Sequence, residues 1–267
     1  MHDSRLLEQL IEAAAAAGRA AWRIYESGFD VARKADATPV TTADHAAEAI
    51  ILDALGRASP ELPVVAEEEV AAGRVPAVGS RFFLVDPLDG TKEFISRRGD
   101  FTINIALICD GQPVLGVVYA PARRLLYTGN VPERVAHRFR QAPASNERGS
   151  AERIHVRPVP AAGLVAVASR SHRTPETDAY LAQYQLVDSV SIGSSLKFCM
   201  VAAGEADLYP RLGPTMEWDT AAAQAVLVAA GGRVIAADGE PLRYGKPGFR
   251  NPYFVASGGF EPRPIEH

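Results

Sequence analysis

Apolar residues recur every three to four positions along the first part of the chain, which is the spacing of helices with one buried face. A first helix is predicted over residues 3–25, where leucines, isoleucines and a run of alanines share one face, and Gly28 follows as a stop signal. A second helix is predicted over residues 42–55, with Thr41 or Thr42 as its N-cap. Two amphipathic helices therefore open the chain.

Short runs of β-branched and aromatic residues replace the helical pattern farther along and predict strands. The run over residues 101–108 alternates, with its large apolar residues at every second position, and the Asp-Gly pair at residues 110–111 predicts a tight turn after it. The predicted strands cover residues 63–66, 82–85, 101–108, 114–120 and 125–127.

A polar stretch, QAPASNERGSAER at residues 141–153, separates this β-rich part from a second part in which strands and helices alternate. We interpret it as a domain boundary, with residues 1–145 forming one half and residues 153–267 the other. The alternation indicates a sheet covered by helices. Strands are predicted at residues 164–168, 187–192, 206–209 and 234–236, and helices at 175–184, 194–203 and 219–230.

The composition is that of a folded globular chain and excludes several classes of protein. The 267 residues are 47% hydrophobic and 22% charged with a net charge of −4, so neither a disordered chain nor a partner of nucleic acid polymers is expected. Cys109 and Cys199 lack the C-x-x-C spacing of a zinc or disulfide site. No apolar run approaches the roughly 20 residues of a membrane span, and the N-terminus lacks the basic start of a signal peptide. We therefore expect a cytoplasmic protein with no transmembrane segment.

Acidic residues follow or open predicted elements at three separate places. An acidic triplet at residues 67–69 follows one strand, Asp86 and Asp89 follow a wholly apolar strand in a DPLD turn, and Asp219 opens an alanine-rich helix. Each has an ordinary explanation, respectively a solvated loop, a proline-containing turn and a helix N-cap. Together, Glu67 and the three aspartates carry about four negative charges, which share one site only if divalent cations neutralise them.

The neighbourhood of these acids suits magnesium and phosphoryl transfer. Mg²⁺ prefers carboxylate and carbonyl oxygens, and the Leu88 carbonyl lies between two of the acids, while Asp44 is a candidate for a fifth acid. Two cations about 4 Å apart are the usual arrangement for in-line transfer of a phosphoryl group to water. The chain has no G-x-x-x-x-G-K-[ST], G-x-G-x-x-G or G-x-S-x-G motif, so nucleoside triphosphatases, dinucleotide enzymes and α/β-hydrolases lose their usual signatures.

Three motifs, in this order, resemble those of the lithium-sensitive, magnesium-dependent inositol monophosphatase superfamily. They are VVAEEE at residues 64–69, FFLVDPLDGTKEFISRRGDFTINIALI at residues 82–108 and EWDTAAAQAVLVAAGG at residues 217–232. The resemblance begins at KADATPVTTAD, residues 34–44, and runs onward from there. It implies a layered α/β/α/β/α sandwich of the inositol monophosphatase and sugar phosphatase type, with the active site between two halves.

The resemblance also implies a set of metal ligands. Glu67, Asp86 and the Leu88 carbonyl would hold a first Mg²⁺, and Asp86, Asp89 and Asp219 would hold a second. Two or three ions are expected in all, together with inhibition by Li⁺.

Catalysis and phosphate binding are implied for the turn that follows the DPLD motif. Thr91 would position the attacking water with Glu67, and the pair of Asp44 and Thr91 is the rival assignment for the base. The backbone amides of Gly90 and Thr91 would face the phosphate from a helix N-terminus. The substrate-binding residues implied on this side are Asp89, Gly90, Thr91 and Lys92.

Within the superfamily, further segments resemble the CysQ-type 3'(2'),5'-bisphosphate nucleotidases. They are GTKEF at residues 90–94, ASRSH at 168–172, GSSLKFC at 193–199 and LYPRLGP at 208–214. The resemblance implies hydrolysis of the 3'-phosphate of adenosine 3',5'-bisphosphate, and of its sulfated analogue, in sulfur assimilation. An inositol-phosphate or sugar-phosphate phosphatase of the same superfamily stays open as the alternative.

The second half is expected to bind the nucleotide through Ser169, His172, Ser194 and Lys197. Without the motif context, Lys197 reads as an exposed helix lysine and His172 as a loop histidine. The expected partner is a small-molecule nucleotide bisphosphate. A homodimer is a further expectation, and the resemblance adds a peripheral location on the inner face of the inner membrane.

Overall fold

The computed structural model describes residues 2–34, 37–145, 147–169 and 174–265. Two short 3-10 segments, Pro121–Arg123 and Pro247–Phe249, accompany the helices and strands. The helices are α1 (His2–Ser27), α2 (Thr42–Ala58), α3 (Glu67–Ala71), α4 (Thr91–Ile95), α5 (Pro175–Leu181), α6 (Leu196–Ala202) and α7 (Ala221–Ala229). The strands are β1 (Val31–Arg33), β2 (Pro39–Thr41), β3 (Val64–Ala66), β4 (Arg81–Asp89), β5 (Thr102–Cys109), β6 (Gln112–Ala120), β7 (Leu125–Asn130), β8 (Val135–Arg140), β9 (Glu152–Ile154), β10 (Leu164–Ser169), β11 (Leu186–Ile192), β12 (Leu208–Arg211), β13 (Arg233–Ala236) and β14 (Phe254–Ser257).

Helices α1 and α2 confirm the two amphipathic helices that the apolar spacing predicts. A capping box decides where α2 begins: the Thr41 Oγ1 accepts a hydrogen bond from the Ala43 amide at 3.2 Å, and the Thr41 amide donates to Asp44 Oδ2 at 2.8 Å. Thr41 is therefore the N-cap, and Thr42 is the first helical residue. The cap also fixes one carboxylate oxygen of Asp44, which lies beside the functional site.

Strands β3 to β9 form a seven-stranded sheet in chain order, with β3 and β4 parallel and the other neighbours antiparallel. The five strands predicted in the first half are β3 to β7. The pattern does not predict β8 and β9, because their sequences, VAHRFR and ERI, carry several charged residues. Charged side chains are usual near the edge of a sheet, where they oppose pairing with another chain.

The alternation along β5 is confirmed, but it separates two cores rather than core from solvent. Ile103, Ile105 and Leu107 pack with α1 and α2, whereas Ala106 and Ile108 belong to the core on the opposite face of the sheet. All five side chains are fully buried. The strand therefore lies in the middle of the molecule, where it holds the neighbouring β4 in place.

The second sheet has five strands in the order β11-β10-β12-β14-β13, with β10 parallel to β11 and β12 and the remaining pairs antiparallel. Strands β10 to β13 are predicted. The pattern does not predict β14, because its four residues between Tyr253 and Gly258 are too few to show a period.

Helices α6 and α7 form a layer between the two sheets. Val226 of α7 packs in one cluster with Phe82 of β4 and Phe254 of β14, which belong to different sheets. Helices α1 and α2 cover the outer face of the first sheet, and α5 covers that of the second, where Tyr180 packs with Leu208. The layers therefore follow the order α/β/α/β/α, which confirms the expected fold class.

Helix α7 approaches the first sheet at two strand glycines. A Cβ atom added to Gly116 in β6 would lie 2.2 Å from the carbonyl oxygen of Ala222, and one added to Gly129 in β7 would lie 2.5 Å from that of Ala225. The absence of side chains there lets the helix backbone rest on the strand backbones. The position of α7, and of Asp219 just before it, is therefore set by backbone contact.

The two halves share structure across the predicted boundary. Strand β9 adds residues of the polar stretch 141–153 to the first sheet, and the middle helix layer, from the second part of the chain, packs on both sheets. The division into residues 1–145 and 153–267 stays a prediction.

Candidate metal and phosphate site

A cleft of about 440 Å³, called the site cleft below, opens between the two sheets. Asp44, Asp86 and Leu88 are not among its lining residues and are almost completely buried, whereas His172 lies outside the described residues. The sequence-predicted residues that line the cleft are Glu67, Asp89, Gly90, Thr91, Lys92, Ser169, Ser194, Lys197 and Asp219.

The end of β4 and the start of α4 bring Asp89, Gly90, Thr91 and Lys92 to the cleft. The pairing of β4 with β5 shifts register between Asp86 and Asp89, and the Leu88 amide donates to Asp86 Oδ1 at 3.0 Å. Gly90 then adopts a φ of +92°, and a Cβ there would lie 2.9 Å from the Asp100 carbonyl oxygen. Only glycine takes this turn without strain, so the turn that places Thr91 at the start of α4 depends on Gly90.

Thr91 and Asp44 form a hydrogen-bonded pair next to the cleft. The Thr91 hydroxyl lies 3.2 Å from Asp44 Oδ1 and 3.3 Å from the Leu88 carbonyl oxygen, so it has two acceptors within reach. Asp44 Oδ2 accepts from the amide and the hydroxyl of Thr41 at 2.8 and 2.7 Å. Burial raises the pKa of Asp44 above its usual value, which the bonds from Thr41 oppose. A carboxylate in this setting can take up a proton.

Two glutamates of the acidic triplet share one lysine, and the third pairs with an arginine elsewhere. The Lys34 ammonium lies 2.6 Å from Glu67 Oε1 and 2.7 Å from Glu68 Oε1, while Glu69 pairs with Arg74 near the surface. Burial tends to lower the pKa of Lys34, but the two carboxylates outweigh it and raise that pKa. Glu67 therefore belongs to the site cleft and is not part of a solvated acidic loop.

Glu48 is a buried glutamate behind the triplet that the sequence pattern does not place in this region. Glu48 Oε2 accepts from the Glu68 amide at 2.9 Å. Burial raises the pKa of Glu48 and that of Glu68 to about 7. The only sequence signal for Glu48 is an acid on the apolar side of α2, which is an unusual place for a charge.

The aspartates of the cleft are crowded with negative charge. Burial raises the pKa of Asp86, and the charges of Glu67, Asp89 and Asp219 raise it further. Burial also raises the pKa of Asp219 to about 8 and that of Asp89 to about 6, although the positive charge of Lys197 opposes the rise in Asp89. Groups that destabilise one another's charged forms in this way are stabilised by a bound cation.

The donor set suits a hard divalent cation. Every candidate ligand atom, including the Leu88 carbonyl, is an oxygen, which is what Mg²⁺ prefers. Across the described residues, no three His, Cys, Asp or Glu side chains converge as a ready-made metal cage. The residues therefore fit magnesium by their chemistry and by their shared cleft, and the ligand assignments stay predictions.

Two buried cations line the wall of the cleft on the side of the second sheet. Lys197 is 5% exposed, and its ammonium donates to the Ser194 carbonyl and lies 5.4 Å from the centre of the Tyr209 ring. Burial lowers the pKa of Lys197 to about 8; nearby Asp89 opposes this, and Arg211 adds to it. Lys197 is therefore a buried residue facing the cleft, which corrects the reading of an exposed helix lysine.

Arg211 also lines the cleft, although the sequence pattern does not mark it as a site residue. It is 7% exposed, its Nη2 donates to the Pro214 carbonyl at 2.7 Å, and its buried Nε has no hydrogen-bond partner among the described residues. A buried donor without a partner is costly, so an anion in the cleft is a suitable acceptor. The available signal is an arginine ending the apolar strand that contains Leu208 and Tyr209.

The remaining predicted residues lie around the cleft. Lys92 is an exposed residue on its rim, Ser169 ends β10, and Ser194 has a φ of +52°. The Gly193 amide donates to Asp100 Oδ2 at 3.4 Å, and Asp100 forms an ion pair with Arg123. The cleft therefore combines a carboxylate side, formed mainly by residues at the ends of β3 and β4, with a cationic side formed by Lys197 of α6 and Arg211 of β12.

Comparison with known proteins gives the class to which this arrangement belongs. The model of the inositol monophosphatase family matches residues 2–257, so the chain belongs to that family. The 3'(2'),5'-bisphosphate nucleotidase CysQ of Escherichia coli strain K12 is 46% identical over 255 residues, which cover 94% of this chain and 99% of that protein.

Solved structures agree with this assignment. CysQ from Bacteroides thetaiotaomicron, itself described as a bacterial member of the family, matches with a TM-score of 0.80 and 39% identity, covering 96% of this chain and 98% of that one. An inositol monophosphatase from Anabaena matches with a TM-score of 0.75 and 26% identity, covering 97% and 93% of the two chains.

The structure bears on one expectation about location. Within the described ranges, no helix has the length and apolar character needed to cross a membrane. The cytoplasmic location and the homodimer stay predictions, and nothing in the comparisons supports association with the inner membrane face.

Proposed function

We propose that this chain is a Mg²⁺-dependent 3'(2'),5'-bisphosphate nucleotidase, which hydrolyses the 3'-phosphate of adenosine 3',5'-bisphosphate to give adenosine 5'-monophosphate and phosphate. The observation that carries the proposal is the placement of two buried cations, Lys197 and Arg211, in the same cleft as Asp89 and Asp219. The carboxylate side is suited to one phosphate through metal ions, and the cationic side is suited to another. The name of the 46% identical relative supports the same substrate.

The cation would be held by the groups that crowd the first side of the cleft. Glu67, Asp86 and the Leu88 carbonyl would hold one Mg²⁺, and Asp86, Asp89 and Asp219 another, with two or three ions in all. Bound magnesium supplies Lewis acidity, which eases loss of a proton from water and offsets charge on the leaving oxygen. Burial and the neighbouring carboxylates raise the pKa values of Asp86 and Asp219, and a bound cation would offset both effects.

Thr91 and Asp44 are placed to orient the attacking water and to accept its proton. The Thr91 hydroxyl lies within 3.2 Å of Asp44 Oδ1, and a water that donates to Thr91 Oγ1 would pass its proton toward that carboxylate. Glu67 is the rival base, but its Oε1 already accepts from the Lys34 ammonium at 2.6 Å, so an attacking water would have to compete with Lys34 for that oxygen. We therefore assign the base to the pair of Asp44 and Thr91.

The second phosphate would be bound by Lys197 and Arg211, with Ser169 and Ser194 contacting the nucleoside nearby. The buried Nε of Arg211 gains an acceptor when an anion enters. An inositol ring offers only neutral hydroxyls to these two cations, so the desolvated charges favour a substrate with a second anionic group. A sulfated phosphate at the same place fits the same chemistry.

A phosphate-release panel tests the proposal. Adenosine 3',5'-bisphosphate, inositol 1-phosphate and fructose 1,6-bisphosphate are compared with Mg²⁺ and with EDTA, and an Asp89→Asn preparation controls for contaminating phosphatases. We expect the highest kcat/KM for the nucleotide, a nucleoside product that is adenosine 5'-monophosphate, and no turnover in EDTA. A higher kcat/KM for inositol 1-phosphate would instead establish the inositol-phosphate phosphatase of the same family.

A further inference from the structure

A buried chain of hydrogen bonds connects the cationic side of the cleft to the first sheet. The Ser195 hydroxyl donates to Asn104 Oδ1 at 2.8 Å and lies 2.9 Å from Thr102 Oγ1. Because the single hydrogen of Ser195 goes to Asn104, the Thr102 hydroxyl is the donor of the second bond. All three side chains are at most 2% exposed, so water does not compete for these bonds.

These hydrogen bonds attach to β5 at the two positions that pair with the aspartates of β4. In the pairing of β4 with β5, Asp86 lies opposite Asn104 and Asp89 lies opposite Thr102. The backbone N–H of Ser195 also faces the Asp89 carboxylate and opposes the rise in its pKa. Ser195 therefore lies beside Asp89 on the metal-ligand strand and is hydrogen-bonded to the adjacent strand.

At its other end, this series of hydrogen bonds sets the position of the cationic side of the cleft through Ser195. Ser194 precedes Ser195 with a φ of +52°, and Lys197 follows two residues later in the first turn of α6. The Lys197 ammonium contacts the Ser194 carbonyl. A displacement of Ser195 would thus move the loop, the helix start and the ammonium together.

We propose that Ser195, held by Thr102 and Asn104, is a positioning residue that sets the spacing between the carboxylate side of the cleft and Lys197, and so determines the preference for substrates with two phosphates. This inference rests on the proposed function. Neither hydroxyl needs to touch the substrate for this role. The first sheet carries Asp86 and Asp89, and α6 carries Lys197, so the hydrogen bonds of Ser195 fix the separation between these two binding regions.

Thr102 offers a matched pair of variants for the test. Thr102→Val keeps the shape of the side chain and removes the donor, whereas Thr102→Ser keeps the hydroxyl and removes the methyl group. Ser195→Ala removes both bonds of the chain. Thr128→Val removes another buried hydroxyl of the same sheet, in β7 and away from the cleft, and controls for general destabilisation. Circular dichroism and thermal unfolding establish that each variant is folded.

The first readout is the ratio of kcat/KM for adenosine 3',5'-bisphosphate to that for adenosine 3'-monophosphate, which lacks only the second phosphate. The second is the Kd of adenosine 5'-monophosphate, measured by calorimetry in Mg²⁺ buffer, which reports binding without turnover. For Thr102→Val and Ser195→Ala we expect the ratio to fall and the Kd to rise by about 3- to 10-fold, the effect of losing a buried hydrogen bond. Thr102→Ser and Thr128→Val should retain both values of the wild type.

The outcomes separate this inference from the proposed function. If the wild type prefers the bisphosphate and Thr102→Val matches Thr102→Ser in both readouts, the positioning role is wrong and the proposed function stands. If the wild type shows no preference and does not bind adenosine 5'-monophosphate, the proposed recognition of a second phosphate is wrong, and the inference falls with it. If Thr128→Val changes the kcat/KM ratio and the Kd as much as Thr102→Val does, the effect is one of general destabilisation, and the positioning role is wrong.

Discussion

Replacing Lys197 by methionine removes a buried positive charge from the site cleft while retaining a side chain of similar length. If the ammonium binds the second phosphate, a charge-assisted hydrogen bond is lost from a partly dry environment. Such bonds contribute about 1.5–3 kcal/mol, so kcat/KM for adenosine 3',5'-bisphosphate should fall roughly 10- to 150-fold. The loss should be much smaller for inositol 1-phosphate, which has no second phosphate to present.

The same substitution is expected to stabilise the metal-free protein. Folding lowers the pKa of Lys197 from 10.5 to about 8, mainly through burial, which costs about 3 kcal/mol of folding free energy at neutral pH. Between those two pKa values the unfolded chain binds the proton more tightly, so wild-type stability rises with pH there. Lys197→Met lacks this titration. It should unfold at higher denaturant concentration near pH 7 and lose its advantage as the pH approaches 10.5.

Two measurements check this combination. Steady-state kinetics on both substrates give the change in selectivity, and urea unfolding in EDTA near neutral and near alkaline pH gives the change in stability. Arg57→Met provides the control, because Arg57 is a largely exposed cation that pairs with Asp53 on the outer face of α2. An equal loss of kcat/KM on both substrates would show that Lys197 supports the carboxylate side and does not read the nucleotide. A Lys197→Met protein less stable than the wild type near pH 7 would refute the assigned cost of burial.

Four further predictions follow from the cleft. Asp89→Asn should abolish turnover with the fold intact by circular dichroism, because the amide keeps the shape but removes an anionic ligand; an active variant with unchanged Mg²⁺ dependence would contradict the metal assignment. Li⁺ should inhibit phosphate release at concentrations where K⁺ does not, because Li⁺ is close to Mg²⁺ in size but carries half the charge, and equal effects of the two ions would oppose this expectation. Thr91→Val should lower kcat at least about 100-fold with little change in KM, whereas Thr91→Ser should retain most activity, and similar rates for the two would argue against proton transfer through this hydroxyl. In EDTA the melting temperature should fall as the pH rises from 3.8 to about 8. Folding raises the pKa of Asp89 from 3.8 to about 6 and that of Asp219 from 3.8 to about 8, so the folded state binds more protons than the unfolded chain in this range. Mg²⁺ should remove most of the fall, and a melting temperature that rises with pH in EDTA would contradict these shifts.

Much of the first half of the fold is local enough to be predicted. The apolar stripe of α1, the capping residues of α2 and the uninterrupted apolar run of β4 are each contained in a short window of sequence. The acidic positions stand at the ends of predicted elements and carry too much like charge to share a site without cations. Their order along the chain is the basis of the family resemblance.

The parts that could not be predicted depend on contacts between distant segments. Strand β14 is short and becomes a strand because β12 and β13 pair with it on either side. Arg211 and Glu48 look like ordinary charged residues until neighbouring layers bury them. Ser195 is 93 positions from Thr102 and 91 positions from Asn104, so no local sequence pattern could predict the hydrogen bonds between them.

The contact of α7 with Gly116 and Gly129 limits which amino-acid substitutions this sequence can accept during evolution. Neither glycine lines the site cleft, yet any side chain there would push away the helix that follows Asp219. Selection for activity therefore acts on two small residues in the middle of strands, where a larger residue would otherwise make a better strand. Distance from the chemistry is consequently a poor guide to which substitutions a lineage can accept. An added methyl group beneath α7 and the loss of a carboxylate from the cleft would both be selected against, because each one disrupts the site.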